Sequence, residues 1–411
     1  MTPPRRVALV VAGIGGIAFV ALAAWLVPWN PVPGGVPAPA DAASVFTVEQ
    51  VRRAEEFSSG ARALSWASLA VSLAATCWFA FSARGRRLTE RLPGPWWFRV
   101  LLAVALVQLA VRVVTLPFAV LLQRRLLEYG LTEQSWAGFA SDQVRGQAVG
   151  IVTLALGLVV LVGCARRWPR AWPAVAAGLL AVLVLLASFV YPLVVEPLFN
   201  SFEPLPDGSL RTQILRLADR EGVRVDDVLV ADASRRTTTL NAYVSGFGGT
   251  RRVVVYDNLV ESLPEDEALS VVAHELAHAR HNDVVTGSLL GAAGAVLGVG
   301  LLALLVGSGR PGRRSMANPA VVPLVLALIA IGSLLASPVE NTISRQIETR
   351  ADVDALRATQ DPEAFAAMQR QLALRSLADP TPPVWSQFWF GSHPTTLTRI
   401  AIARSGRAQG E

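Results

Sequence analysis

The 411-residue chain contains no lysine; its 37 basic residues are all arginine. It has only 2 cysteines and 4 histidines, and charged residues are 17% of the whole. Cys77 and Cys164 both fall inside apolar runs, so neither a disulfide framework nor a thiolate metal site can be built from them. Arginine without lysine, beside heavy use of Ala, Gly and Pro, looks like the coding bias of a GC-rich bacterial genome. The net charge of +6 and pI near 10.2 therefore do not point to nucleic acid, and no aromatic-interleaved basic stripe, zinc finger or RNA-binding signature accompanies them. Charge is scarce because apolar residues make up 52% of the chain, with a mean hydropathy of +0.43.

That composition means membrane. Seven runs are candidates to cross a bilayer core, which takes about 20 apolar helical residues: Val7–Val27, Ala63–Phe81, Val100–Leu122, Val149–Cys164, Ala171–Val195, Val284–Val306 and Pro319–Ser337. The fourth is short. The third contains Arg112, a charge costly at that depth, which is expected to face other helices or a wet cavity, in a structural ion pair or a functional role. Val7–Val27 reads as a retained anchor; its apolar run is long for a secretory signal, although Arg5 and Arg6 precede it and small residues follow at Ala38–Ala43. Pro28–Ala43 reads as a linker. The arginines gather at Arg84–Arg99, Arg166–Arg170 and Arg310–Arg314, where they act as topology signals.

Against four histidines in all, the run Val271–Asp283, VVAHELAHARHND, stands out. An H-E-x-x-H pattern arises by chance in roughly 3 of 1000 chains of this composition. On a helix, His274 and His278 lie one turn apart on one face and can reach a single metal ion, with Glu275 placed to hold a water beside it. This is the arrangement of a zinc hydrolase; the bland alternative is two surface histidines on an amphipathic helix. Ser262-Leu263-Pro264-Glu265 has the pattern of a capping box with an early proline, so the helix should begin there.

The pattern divides the chain into a membrane part (1–195), a first polar segment (196–283), two more spans (284–337) and a second polar segment (338–411). The polar segments are expected to pack as one catalytic unit on the membrane surface. In the first, Leu210–Arg220 has helical periodicity and Asp227–Ala231 reads as a strand. Asn241–Val244 and Arg251–Tyr256 flank Gly246-Phe247-Gly248-Gly249 as a hairpin, which either holds an extended substrate along its edge or is plainly structural.

A catalytic zinc needs three protein ligands and one open position. Candidates for the third are His281, Asp283, Glu340, Glu348, Asp352 and His393. Asn341, Arg345, Glu348 and Asp352 recur at spacings that share one helix face, which would let Glu348 ligate and Asp352 accept a hydrogen bond from a ligand histidine; an ordinary solvated polar face is the alternative.

HELAH, then NTISRQIETRAD (341–352) and Ser392-His393-Pro394, resembles the membrane-embedded zinc endopeptidases typified by the type I CAAX prenyl proteases, with bacterial heat-shock membrane peptidases as more distant cousins. Further matches are Thr115-Leu116-Pro117-Phe118, Glu128-Tyr129-Gly130-Leu131-Thr132, Pro197-Leu198-Phe199-Asn200, Pro204-Leu205-Pro206-Asp207-Gly208 and Asn241-Ala242-Tyr243. The resemblance implies a mainly α, seven-helix membrane protein with a gluzincin-type peptidase unit, helices plus a small β-hairpin or sheet, split by the last two spans. It implies one zinc per chain on His274, His278 and Glu348, Glu275 as general base, Asp352 behind the ligands, and His393 as donor to the oxyanion or substrate. Arg399 is given a structural place. The substrate would be a membrane-associated peptide or protein, with Asn241, Ala242 and Tyr243 holding it. Ala277 stands where prenyl proteases usually have glycine, a small-for-small change, and Thr239 where they usually have histidine just before the substrate strand, a change that bears on whether a prenylated tail is the substrate.

Two other functions compete. A site-2-type intramembrane protease would bury the motif helix in lipid, which Glu265-Asp266-Glu267 and Arg280-His281-Asn282-Asp283 oppose; a seven-helix scaffold or receptor would have no use for Glu275. Orientation is contested: the resemblance places the site toward the cytoplasm of a bacterial plasma membrane, whereas the arginine-rich loops claim the cytoplasm for the opposite side.

Overall fold

A computed structural model gives the structure of the chain, described for residues 3–246, 251–307 and 315–406. Its membrane part comprises α1 (Pro3–Leu26), α2 (Val48–Phe81), a short α3 (Ala83–Glu90), α4 (Trp96–Glu128), α5 (Trp136–Arg167) and α6 (Trp172–Val190). The first polar segment follows as β1 (Phe202–Pro204), α7 (Ser209–Arg220), β2 (Asp227–Ala231), β3 (Ala242–Ser245), β4 (Arg252–Tyr256), α8 (Asp257–Ser262) and α9 (Glu265–Arg280). Then come α10 (Asp283–Gly307), α11 (Val322–Thr359), α12 (Pro362–Ser376), α13 (Val384–Phe390) and α14 (Thr396–Arg404). Among the described residues 7 helices are long and apolar enough to cross a membrane: α1, α2, α4, α5, α6, α10 and α11.

Most of these run past the apolar stretch that marks them. α5 starts at Trp136, capped by the Ser135 hydroxyl accepting from the Gly138 amide at 3.1 Å, so the short run Val149–Cys164 belongs to the C-terminal half of a much longer helix. α11 passes without interruption from its apolar half into the polar segment, carrying Pro338 inside it. α6 ends in a π-helical turn at Tyr191–Val195, where Pro192 and then Pro197 prevent ordinary helix from continuing. Arg112 is half-buried, and its guanidinium donates to the amide oxygen of Gln143 on α5, a neutral partner instead of the carboxylate an ion pair needs.

The bundle core is small and branched: Val100, Val104, Leu158, Val162, Ala176, Val322 and Val325 are all buried in it. α1 is zipped onto α10. A Cβ on Gly15 would stand 2.3 Å from the Leu297 backbone nitrogen and one on Gly300 2.5 Å from that of Ala12, so the two backbones touch where only glycine fits. These contacts run α1 antiparallel to α10. The alternation of spans gathers both polar segments on one side and Arg84–Arg99 and Arg166–Arg170 on the other. Arg310–Arg314 lies outside the described residues.

The two polar segments share one hydrophobic core. Ile214 and Leu217 of α7, Val253 of β4 and Leu276 of α9 meet Leu356 of α11, Phe365 of α12 and Ile402 of α14, all at most 2% exposed. Each such side chain contributes about 1.5–3 kcal/mol by leaving water. The sheet has the order β1-β2-β4-β3, with β2 and β4 parallel and the outer pairs antiparallel. β3–β4 is the hairpin foreseen; its Phe247-Gly248-Gly249 turn lies outside the described residues. Among the described residues, β3 pairs on one side only. The linker 28–43 is bound to this unit: Val32 is 3% exposed in its core and the Ala40 amide donates to the Leu397 carbonyl at 3.1 Å.

One local expectation fails. α9 begins at Glu265, but no side chain caps it; Ser262 ends α8 instead, and Pro264 occupies the cap position. The acidic run Glu265-Asp266-Glu267 in the first turn still complements the helix dipole.

Candidate metal centre

α9 presents His274 and His278 on one face, as the four-residue spacing requires, and α11 brings Glu348 opposite them. The two Nε2 atoms are 3.2 Å apart, Glu348 Oε2 is 3.2 Å from His274 Nε2, and Glu348 Oε1 is 3.6 Å from His278 Nε2. One donor atom from each residue lies within 4.8 Å of the others, a spacing suited to a shared ion.

The far nitrogens explain why the near ones converge. His274 Nδ1 is 3.0 Å from Asp352 Oδ1, and His278 Nδ1 is 2.9 Å from Asp283 Oδ2. A carboxylate only accepts, so each Nδ1 carries the proton and each Nε2 turns a lone pair inward. Behind Asp352 stands Arg399 of α14, whose Nε donates to Oδ2 at 2.8 Å, with its Nη2 on Oδ1; behind Asp283 stands the Arg350 guanidinium. Among the described residues no donor satisfies the buried Glu348 Oε2, whose neighbours are the ring nitrogens of His274 and His393 at 3.2 and 3.3 Å. Two facing lone pairs and an orphaned buried carboxylate oxygen fit a divalent cation, and the donor set of two imidazoles and a carboxylate suits zinc.

Electrostatics agree. Burial disfavours an imidazolium at His274, but the carboxylates of Asp352 and Glu348 beside the ring outweigh it and raise the ring to about 10. The pocket thus attracts positive charge. Burial pushes the Glu275 carboxyl above its ordinary range, against the opposing pull of His274 and His278.

Of the other candidates, His281 ends α9 and turns away, its Nε2 2.7 Å from Asp354 Oδ2. Glu340 is exposed on the chamber wall. Asp283 backs His278 instead of joining the cluster, a position set by the turn between α9 and α10, where Asn282 takes a left-handed φ of 54°. Arg350 has no role legible in the sequence, and Arg399 only a structural one. The helix-face pattern on α11 does divide its work: Asn341 Nδ2 donates to the Trp389 carbonyl at 2.6 Å and Arg345 Nη1 to the Gly391 carbonyl at 2.6 Å, holding the segment that brings His393 Nε2 to 3.3 Å from Glu348 Oε2.

The cluster opens into a cavity of about 1460 Å³ that reaches down between the spans to Phe19, Leu297 and Leu328. Glu275, His393, Asn241 and the β3 residues Ala242 and Tyr243 line its polar end. Asn258 Nδ2 fixes the approach to β3 by donating to the Thr237 and Thr239 carbonyls at 3.0 and 3.1 Å. α9 is not among the membrane-length helices, and Glu348 lies about 16 Å along α11 beyond Ser337. The site is therefore outside the apolar band, unlike that of a site-2-type protease.

Comparison with known proteins gives two family matches: residues 36–201 match the CAAX prenyl protease N-terminal family, described by five membrane helices, and residues 204–406 match Peptidase family M48. α1 lies ahead of the first match. The chain is 29% identical over 381 residues to the uncharacterized metalloprotease YhfN of Bacillus subtilis, covering 89% of this chain and 88% of that protein. It is 28% identical over 303 residues to a CAAX prenyl protease 1 homolog of Oryza sativa subsp. japonica, covering 69% and 68%. Its fold superposes on the crystal structure of S. mikatae Ste24p with a TM-score of 0.78 at 20% identity, across 97% of this chain and 99% of that one. The two family matches adjoin where the end of the α6 span gives way to β1, and between them they take in both the helical bundle and the metal centre: the chain belongs to the M48 peptidases, as a membrane-embedded metalloprotease of the CAAX prenyl protease type.

Proposed function

We propose that this protein is a zinc endopeptidase in which His274, His278 and Glu348 hold one ion per chain, and that it cleaves peptide segments drawn from membrane-associated proteins into its chamber. The carrying observation is the convergence of two Nε2 lone pairs and an unpartnered Glu348 oxygen beside Glu275, at the mouth of a large apolar cavity. The bound ion would acidify a water and polarise the scissile carbonyl. Glu275, its carboxyl raised by burial, takes the water's proton and returns it to the leaving amine. Asp352 and Asp283 keep the imidazoles in the tautomer that faces inward. His393, more than half exposed and held by Gln387 and Arg345, points into the same space and donates to the developing oxyanion.

The free edge of β3 supports an extended substrate as an added strand along Asn241, Ala242 and Tyr243. The chamber exceeds the roughly 300–1,000 Å³ of a small-molecule pocket, which supports a chain segment as its occupant. Prenylated CAAX tails, the substrates in the name of the Oryza sativa relative, are one class the apolar wall would suit; Thr239 sets this chain apart beside the substrate strand.

Glu275→Gln should abolish hydrolysis while one zinc per chain remains by metal analysis; active protein without zinc, or a fully active Gln variant, would refute the mechanism. We place the site on the cytoplasmic face of a bacterial plasma membrane, following the family, against the arginine bias. A single cysteine at exposed Gly208, with Cys77 and Cys164 replaced, should then resist a membrane-impermeant thiol reagent in intact cells; ready labelling would reverse the orientation.

A further inference from the structure

α13 has its polarity inside out. Val384, Trp385 and Phe388 share one face and are 86%, 53% and 50% exposed, whereas Ser386 is only 7% exposed and Gln387 is occupied in hydrogen bonds to the protein. A helix bathed in water would turn the other way. Its inward contacts fix its level. Trp385 packs against Trp66 of α2 with ring centroids 4.2 Å apart and planes tilted by 46°, and Trp66 lies just inside the start of the apolar run Ala63–Phe81. Trp389 Nε1 donates to the Leu334 carbonyl of α11 at 3.1 Å, just before the apolar run ends at Ser337. That carbonyl is available because Pro338, four residues on, has no N–H to give it. Both spans thus place α13 at the same border of the bilayer, on the side that holds the metal centre.

We propose that α13 is an in-plane interfacial helix whose Val384–Trp385–Phe388 face is seated in the lipid at the headgroup boundary, so that the bilayer itself holds the segment carrying His393. Lipid is the occupant the structure favours because α13 rests on Trp66 of α2 and Leu334 of α11, at the ends of two membrane-spanning apolar runs, and because indole and phenyl rings favour that depth. The inference goes beyond the peptidase mechanism and does not need it. α13 leads directly to Ser392-His393-Pro394, and its backbone is tied to α11 through Asn341 and Arg345. A lipid-seated α13 therefore makes His393 a reporter of the bilayer.

The test uses the full-length protein in lipid nanodiscs, with Cys77 and Cys164 replaced and Val384→Cys carrying a nitroxide. Collisions with oxygen should be frequent and collisions with a water-soluble nickel chelate rare, the reverse of a label at Gly208. Free access of the chelate at Val384 would overturn the proposal. So would a label shielded from both reagents and broadened by dipolar coupling as the protein-to-lipid ratio rises, because a second copy would then cover the face. Trp385→Ser/Phe388→Ser should retain one zinc per chain and should raise chelate access at Val384→Cys at least severalfold; unchanged access would overturn it as well. None of these readouts requires hydrolysis, so failure here is distinct from failure of the peptidase assignment.

Discussion

Two arms hold the metal centre, and they are built differently. In the His274 arm, Asp352 has no exposure while His274 and Arg399 keep 8% and 12% of theirs, and the three residues come from α9, α11 and α14. In the His278 arm, Asp283 follows its histidine by five residues, and Arg350, Asp283 and His278 all retain 10–20% of their side-chain exposure. The first arm is knitted through the core of the unit, the second folded from a local turn at its edge. Burial strengthens an arm's hold on its histidine but makes the arm costly to break, because a lone charge left inside has no water to turn to.

Glu348→Ala should have the largest effect, since it removes the group both arms face: zinc is lost on dialysis and hydrolysis falls below detection. Stoichiometric zinc in that variant would place the third ligand elsewhere. Asp352→Asn comes next. It should weaken zinc by about 10- to 100-fold in chelator competition. By stranding Arg399 it should also cost on the order of 3–5 kcal/mol of stability, seen as a lowered melting temperature even without metal. Asp283→Asn should sit at the low end, about 10-fold in zinc affinity, with little change in melting, because its partners can still reach solvent. Equal melting shifts for the two variants would show that burial is not what separates the arms. The smallest effect should come from Arg350→Gln, below about 10-fold in zinc affinity, since Arg350 acts only through Asp283. A larger loss than that of Asp283→Asn would give Arg350 a task of its own.

What the sequence reveals follows the same division. The spans and HELAH are legible because they are local: an apolar run of sufficient length, and two histidines four residues apart. Glu348 and Asp352 are half legible, since periodicity places them on one face while only the family resemblance makes that face a ligand. Asp283 has the right neighbours in sequence, yet its role depends on Asn282 taking a left-handed turn, which its residue type permits but does not announce. Arg399 meets Asp352 across 47 positions and two intervening helices, and no period reaches that far. Ser262 shows the opposite error: a convincing cap pattern idle because the preceding helix uses the residue first. Trp389 filling the carbonyl that Pro338 frees is a pairing the sequence holds in two places without any mark joining them.

The elbow at Asn282 ties the catalytic centre to the chamber wall. Only His281 and Asn282 separate α9 from α10; the Arg251 guanidinium grips the Asn282 side chain at 2.7 Å, and α10 opens with the residue that steadies His278. Beyond that, α10 is locked backbone to backbone against α1 at Gly15 and Gly300. These parts form one lever: swinging α10 aside to admit a chain would draw Asp283 from His278 and disarm the centre during loading. A protein that loads with its metal in place must keep this wall still and take in its substrate along the chamber's other flanks.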